Sequence, residues 1–283
     1  MRERTIADVL TEAQPYMKKY TGKTVVVKYG GNAMVNEELK NGVMEDVILM
    51  NMLGIRTVVV HGGGPEINQL LKRIGKEPKF IGGLRYTDEE TMEIVQMVLA
   101  GKINKDLVAR LGSRNGHAIG LCGVDAGMLM CRRHTAEDLG FVGDITAVNP
   151  GPILQALDAG TIPVIATIGA DSAGHTYNIN ADTAAAAIAI ALGACKLVSL
   201  TDIPGLLMDK DNPATLLHEV KISDVPGLVS GGVISGGMLP KIACCVDSIA
   251  KGVKEAVIID GRVLHAILLE MFSDKGNGTL FVN

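Results

Sequence analysis

A mostly parallel α/β sheet covered by helices on both faces is predicted by two observations. Strand-like and helix-like segments alternate along the 283 residues, and the leading strand-like runs are Val-rich at their centres. A third observation places the site. Two runs end in glycine clusters: Lys28-Tyr29-Gly30-Gly31 follows the run 24–27, and His61-Gly62-Gly63-Gly64-Pro65 closes the run 56–61. Ligands of parallel sheets bind at the carboxyl ends of the strands. Glycine lets the backbone turn sharply there and present its N–H groups. A lysine beside such groups suits a polyanion, above all a phosphate.

The elements follow in order. Residues 5–20 read as an amphipathic helix, with Thr5 and Asp8 resembling a capping box and Ile6, Val9, Leu10, Ala13, Met17 and Tyr20 as its apolar stripe. Lying ahead of the first core strand, it is either a simple covering helix or an arm that docks on another subunit. Strands are expected at 24–29, 56–61, 117–121, 162–168, 196–201 and 256–260. Helices are expected at 36–53, 65–75, 88–101, 103–114, 150–159, 181–192, 240–251 and 261–272, with short hairpin strands over 128–148. A loop-rich region spans 203–239, and a soft lobe boundary is placed near 193.

Composition narrows the function. With 47% hydrophobic residues but only 3% aromatics and no Trp, the core must be aliphatic. A net charge of −4 without a basic run argues against a nucleic-acid partner. No run approaches the ~18 apolar residues of a membrane span. Charged Glu3, Arg4, Asp8 and Glu12 stand where a signal peptide would be apolar, so a cytoplasmic protein is expected. Five cysteines without a CxxC pair read as buried thiols. The six histidines lack metal-ligand spacing, and no protein metal ligand is assigned.

Gly22-Lys23-Thr24 fails as a phosphate-binding loop of the Walker type, because Met17 stands where that pattern needs glycine and the triplet precedes a strand. No GxGxxG follows a strand, which argues against a nicotinamide cofactor. Arg85, in Gly83-Leu84-Arg85-Tyr86-Thr87-Asp88, is either a solvated charge or a fork for a carboxylate. In Asn178-Ile179-Asn180-Ala181-Asp182, a helix cap competes with a ligand-facing role, Asn178 and Asn180 sharing one side. Gly236-Gly237-Met238-Leu239-Pro240-Lys241 leads into the helix 240–251, with Pro240 as first residue. Lys241 in its first turn is unfavourable against the helix dipole, which points to a nearby anion.

Together these five segments resemble the amino acid kinase family, and within it the N-acetyl-L-glutamate kinases, over essentially the full chain. The resemblance implies a three-layer αβα sandwich with a central, mostly parallel open sheet. The lobe 22–193 would bind the acyl amino acid and 194–283 would bind ATP. The implied reaction moves the γ-phosphoryl of ATP to a carboxylate, giving an acyl phosphate. Lys28 and Lys241 would flank the transferred group and Asp182 would orient both. Gly30, Gly31 and Gly63 would bind phosphate oxygens. Gly63, Gly64, Arg85, Asn178 and Asn180 would serve the substrate, with Arg85 on its α-carboxylate. Mg²⁺ would be held largely by ATP oxygens and water. A carboxylate nucleophile is already ionised at pH 7, so the missing Ser-His-Asp and Cys-His sets are no obstacle.

The ends resemble the arginine-inhibited, ring-forming members. There Tyr16, Lys196, His265, Glu270, Gly276, Gly278 and Thr279 would bind an L-arginine effector, and residues 1–21 would join dimers into a homohexamer. Two readings stay open beside this one: a kinase of a related acyl acid, such as carrier-linked aminoadipate or glutamate, and a non-catalytic arginine sensor.

Overall fold

The computed structural model describes residues 3–274 and 276–283. The chain opens with α1 (Glu3–Tyr20), β1 (Thr24–Tyr29), α2 (Glu37–Met52), β2 (Arg56–His61) and α3 (Gly64–Arg73). A small hairpin, β3 (Phe80–Ile81) and β4 (Leu84–Arg85), leads to α4 (Glu89–Gln96) and α5 (Asn104–Gly112). Next come β5 (Ala118–Cys122), β6 (Leu129–Arg133), β7 (Gly143–Val148) and α6 (Gly151–Asp158). These are followed by β8 (Ile162–Ala166), β9 (Ile168–Ala170), β10 (Thr176–Asn178), α7 (Ala181–Ala191) and β11 (Lys196–Thr201). The last part holds β12 (Glu219–Lys221), α8 (Val225–Ser230), α9 (Met238–Ala250), β13 (Glu255–Asp260), α10 (Ala266–Phe272) and β14 (Gly278–Val282).

One eight-stranded sheet has the order β12-β14-β13-β11-β1-β2-β8-β5 and is parallel except where β14 runs against β13. The strands before residue 193 form one half of this sheet, and those after it form the other. Val25, Val27 and Val59 face one apolar layer and Val26, Val58 and Val60 the other, so the sheet is buried on both sides. Aliphatic side chains supply most of both layers, as the composition requires. A second sheet, β10-β9-β6-β7, contains the expected 128–148 hairpin.

Several boundaries differ from those read in the sequence. The first helix starts by Glu3, so Thr5 lies inside it and does not cap it, and Pro15 sits in its interior. Its second half is the covering helix: Ala13 and Tyr20 are buried, while Ile6, Val9 and Leu10 are exposed. The helices expected at 88–101 and 103–114 form one run, joined by a π-helical segment, Met97–Ile103. The strand expected at 162–168 splits at Thr167, where the chain leaves the main sheet for the second one. Helix α9 starts at Met238, so Pro240 is its third residue and Lys241 its fourth. Helix α10 starts only at Ala266, because His265 adopts a left-handed conformation (φ 56°) that interrupts helical geometry. The terminal strand β14 lies beyond the strands expected from the sequence.

Candidate active site

Register brings the site together. In β1 and β2, Tyr29 pairs with His61, so Gly30-Gly31 and Gly62-Gly63-Gly64 leave the sheet side by side. In β11, Ser199 pairs with Lys28. Helix α7 begins against this edge: a Cβ on Gly62 would stand 3.3 Å from the Ala181 methyl. Asp182 therefore projects over the carboxyl ends of β1 and β11.

Asp182 receives one ammonium on each carboxylate oxygen. Lys28 Nζ is 3.0 Å from Oδ1 and Lys241 Nζ is 3.1 Å from Oδ2. Ser199, which the sequence reading missed, donates its hydroxyl to Oδ1 at 3.4 Å. Burial pushes the Asp182 carboxyl upwards, but the charges of Lys28 and Lys241, and their hydrogen bonds, outweigh it and hold the pKa at about 2. The carboxylate stays ionised, two cations share one anion, and the cluster carries one surplus positive charge. Lys28 is buried, at 6% exposure. Such a preorganised charge in a dry setting acts far more strongly on a polyanion than it would in water.

Two of the loop glycines, Gly31 and Gly63, are required by space. Gly31 has φ 72°, and a Cβ there would stand 2.4 Å from Asp202 Oδ1. Gly63 is tightly enclosed, since its Cβ would stand 2.3 Å from the Ile103 Cδ1 and 2.7 Å from Leu99 Cδ2, both on the π-helical segment. A π segment is a recurrent mark of functional sites, and here it packs beneath the glycine loop.

A cleft opens beside this cluster, lined by Gly62, Gly63, Gly64, Arg85, Asn178 and Asn180 among others. Arg85 is no solvated charge: it is buried at 7% exposure. Its Nη2 donates to Asn68 Oδ1 at 2.6 Å and to Gly64 O at 3.3 Å. The guanidinium lies 4.8 Å from the Phe80 ring centroid. Nη1 is buried and has no hydrogen-bond partner among the described residues. Leaving such a donor unpaired costs about 1–3 kcal/mol, and an incoming carboxylate oxygen would remove that cost. Burial lowers the Arg85 pKa, yet a guanidinium remains charged at neutral pH.

Asn178 and Asn180 both border the cleft but differ in task. Asn180 caps α7, its Oδ1 accepting from Asp182 N and Thr183 N, so the capping reading holds for that residue. Asn178 donates to the buried Thr87 hydroxyl at 3.2 Å. Asp88 caps α4, its side chain accepting from Thr91 N.

A second cleft lies where α1 meets α10 and β14, and Tyr16, Lys196, Glu270, Gly276 and Gly278 line it. Lys196, at 2% exposure, stands 2.7 Å from Glu270 and 3.3 Å from Glu255. Tyr16 bonds Asp274, and Glu270 also accepts from Asn277 N. Two residues assigned to this cluster from the sequence are not in it. His265 turns away to Asp46 of α2, its Nδ1 2.6 Å from Oδ1. Thr279 is fully buried, with its hydroxyl accepting from Leu206 N. Among the described residues, no group of His, Cys, Asp or Glu is placed to hold a metal ion, and no helix is long and apolar enough to cross a membrane.

Residues 23–260 match the family model of the amino acid kinase family. The acetylglutamate kinase of Heliobacterium modesticaldum is 54% identical over 97% of this chain and 97% of its own. That of Actinobacillus pleuropneumoniae serotype 7 is 57% identical over 97% and 96%, and that of Clostridioides difficile 55% over the same shares. Among solved structures, the N-acetylglutamate synthase of Neisseria gonorrhoeae complexed with coenzyme A and N-acetyl-glutamate superposes with a TM-score of 0.86 at 27% identity. That match covers 98% of this chain and 63% of the synthase chain, so this chain spans less than two thirds of that protein. Carbamate kinase of Giardia lamblia bound to AMP-PNP shares the fold, with a TM-score of 0.64 at 17% identity over 93% of this chain and 99% of that one. On the family match and on relatives above half identity along nearly the whole length, the chain belongs to the amino acid kinase family, among its acetylglutamate kinases.

Proposed function

We propose that this protein phosphorylates the side-chain carboxylate of N-acetyl-L-glutamate with ATP, giving the 5-acyl phosphate, in arginine biosynthesis. The observation that carries the reading is the Lys28–Asp182–Lys241 bracket beside a cleft lined by the buried Arg85, whose Nη1 has no hydrogen-bond partner among the described residues. Relatives named acetylglutamate kinase, at 51–57% identity, support the substrate and the use of ATP.

In the reaction the substrate carboxylate oxygen bonds to the γ-phosphorus. The bond from that phosphorus to the β,γ-bridging oxygen breaks, and its electron pair leaves with ADP. No proton moves, so no general base is needed. Lys28 and Lys241 neutralise charge spread over the transferred oxygens, and Asp182 holds them apart. N–H groups of Gly30, Gly31 and Gly63 bind phosphate oxygens. Arg85 binds the α-carboxylate, with Gly64, Asn178 and Asn180 around the acyl amino acid. Mg²⁺ accompanies ATP on its phosphates and water. This suits a site whose central carboxylate already has a lysine on each oxygen. Residues 22–193 form the acyl-substrate lobe and 194–283 the nucleotide lobe, meeting in the sheet between β1 and β11.

The second cleft would take L-arginine: Glu270 faces the guanidinium, and Tyr16, Lys196, Gly276 and Gly278 line the remainder. The exposed apolar face of α1 would join dimers into a hexamer.

The test is ATP-dependent hydroxamate formation with N-acetylglutamate, glutamate, aspartate and carbamate. Turnover is expected with N-acetylglutamate; preference for another acid would overturn the substrate, and none with any would overturn the enzyme. Arg85→Lys should raise the KM for N-acetylglutamate about tenfold or more, since one ammonium cannot reproduce the fork. ATP affinity should hold in calorimetric titration; a selective loss of ATP binding would put Arg85 in the wrong site.

A further inference from the structure

We propose that His61 is a positioning residue that aims the Gly63 N–H into the cleft, and that Asn104 holds His61 in the one tautomer able to do so. The inference rests on the reading that the glycine loop binds an oxygen of the reacting complex.

The tautomer follows from the partners. His61 Nδ1 lies 2.9 Å from Gly62 O, a carbonyl that can only accept, so Nδ1 carries the proton. On the other side, Nε2 lies 3.2 Å from Asn104 Nδ2. The orientation of that amide is fixed by chemistry too. Its Nδ2 also faces two carbonyls, Val164 O at 2.8 Å and Leu121 O at 3.2 Å, while its Oδ1 faces the Lys105 ammonium at 3.0 Å. Acceptors surround the nitrogen and a donor meets the oxygen, so Nδ2 faces Nε2; of its two hydrogens one serves the near Val164 O, and the other is shared between Nε2 and Leu121 O. The ring is fully buried, and burial lowers its pKa to about 4, which keeps it neutral at pH 7.

The consequence concerns one peptide plane. In a trans peptide the C=O and the next N–H point in opposite directions. His61 draws the Gly62 carbonyl towards the buried ring, so the Gly63 N–H must point away from it, to the side where Gly62, Gly63 and Gly64 line the cleft. The preceding peptide is held as well: Gly62 N donates to Tyr29 O at 3.2 Å, and the Thr167 hydroxyl donates to His61 O at 3.4 Å. A glycine triplet has little intrinsic preference for one orientation. The ring bond selects one, and Asn104, at the junction of the π segment with α5, secures the ring.

The two amide side chains separate the two ring nitrogens. His61→Asn places an amide near Nδ1 and can keep the bond to Gly62 O. His61→Gln extends to the Nε2 position and can keep Asn104 company but not Gly62. His61→Leu keeps neither. With wild-type turnover on N-acetylglutamate established first, His61→Asn should retain kcat within about tenfold. His61→Gln and His61→Leu should lose on the order of 10²-fold, the usual effect of a misplaced oxyanion donor. Thermal midpoints of all three are measured alongside. Equal kcat for the Asn and Gln variants, or a rate order that follows only the thermal midpoints, would overturn the positioning role. If the wild type prefers another acid, the same series on that acid tests His61 separately from the substrate assignment.

Discussion

Alanine at Lys28 or at Lys241 is expected to lower kcat by on the order of 10²- to 10³-fold while KM moves little. Each lysine holds one oxygen of Asp182, at 3.0 and 3.1 Å. Removing either cancels the cluster's surplus positive charge, so Asp182 would no longer be outweighed and would repel the approaching phosphoryl oxygens. The lost interaction strengthens as charge spreads over the transferred group, which is why kcat carries the loss. A loss of this size corresponds to about 3–4 kcal/mol, comparable to deleting one preorganised donor. The two variants should part company in stability. The Lys28 side chain is 8% exposed and that of Lys241 31% exposed. Lys28→Ala leaves a buried carboxylate short of its deeper partner, so its thermal midpoint should fall further. Steady-state kinetics and calorimetric melting decide this. Near wild-type turnover in either variant would remove the lysine from the reaction, and equal melting shifts would refute the burial argument.

Much of this site was legible because it sits where local patterns are strongest. Apolar runs 24–27 and 56–60 could only be buried strands, and glycines at their ends could only be turns that bare N–H groups. Lys241 was found through its awkward place near the start of a helix, although α9 begins two residues earlier than expected. What stayed hidden depends on contacts between distant segments. For Arg85 the sequence left a solvated charge and a carboxylate fork both open, and the enclosure by Asn68 and Phe80 that excludes the first comes from other segments. Ser199 had no local signal, because it reaches Asp182 only through the β1–β11 register. Asn104 fell within the helix expected at 103–114 with no local sign of a role, whereas the π segment joins that helix to the one before it and its amide reaches His61. His265 shows the opposite error. A helix-like pattern from 261 put it on the same helix as Glu270, but its left-handed backbone sends it to Asp46.

L-arginine is expected to inhibit the full-length enzyme, and removal of residues 1–14 is expected to abolish that inhibition while leaving kcat intact. The cut is chosen from the packing of α1. It keeps Tyr16 in the second cleft and the buried Tyr20, and it removes Ile6, Val9 and Leu10, which cover nothing in this chain. Those three lie on one apolar stripe and are suited to the same stripe of a second copy, a self-complementary contact of the kind that closes symmetric oligomers. The other end of α1 meets the second cleft directly: Lys19 and Tyr20 both bond Glu255, which shares Lys196 with Glu270. A ligand whose guanidinium competes for Glu270 would disturb this ion-pair chain and change how α1 leaves the body of the protein. Binding alone does not inhibit; arginine must prefer one of two arrangements, and a ring would supply the linkage between subunits. In the shortened protein the cleft remains but the link is gone. Light scattering should show a hexameric mass for the full chain and a dimeric one for the truncation, with arginine still bound in calorimetry. An arginine-insensitive full-length enzyme would refute the effector site. A truncated form that stays hexameric and fully inhibited would refute the role of α1.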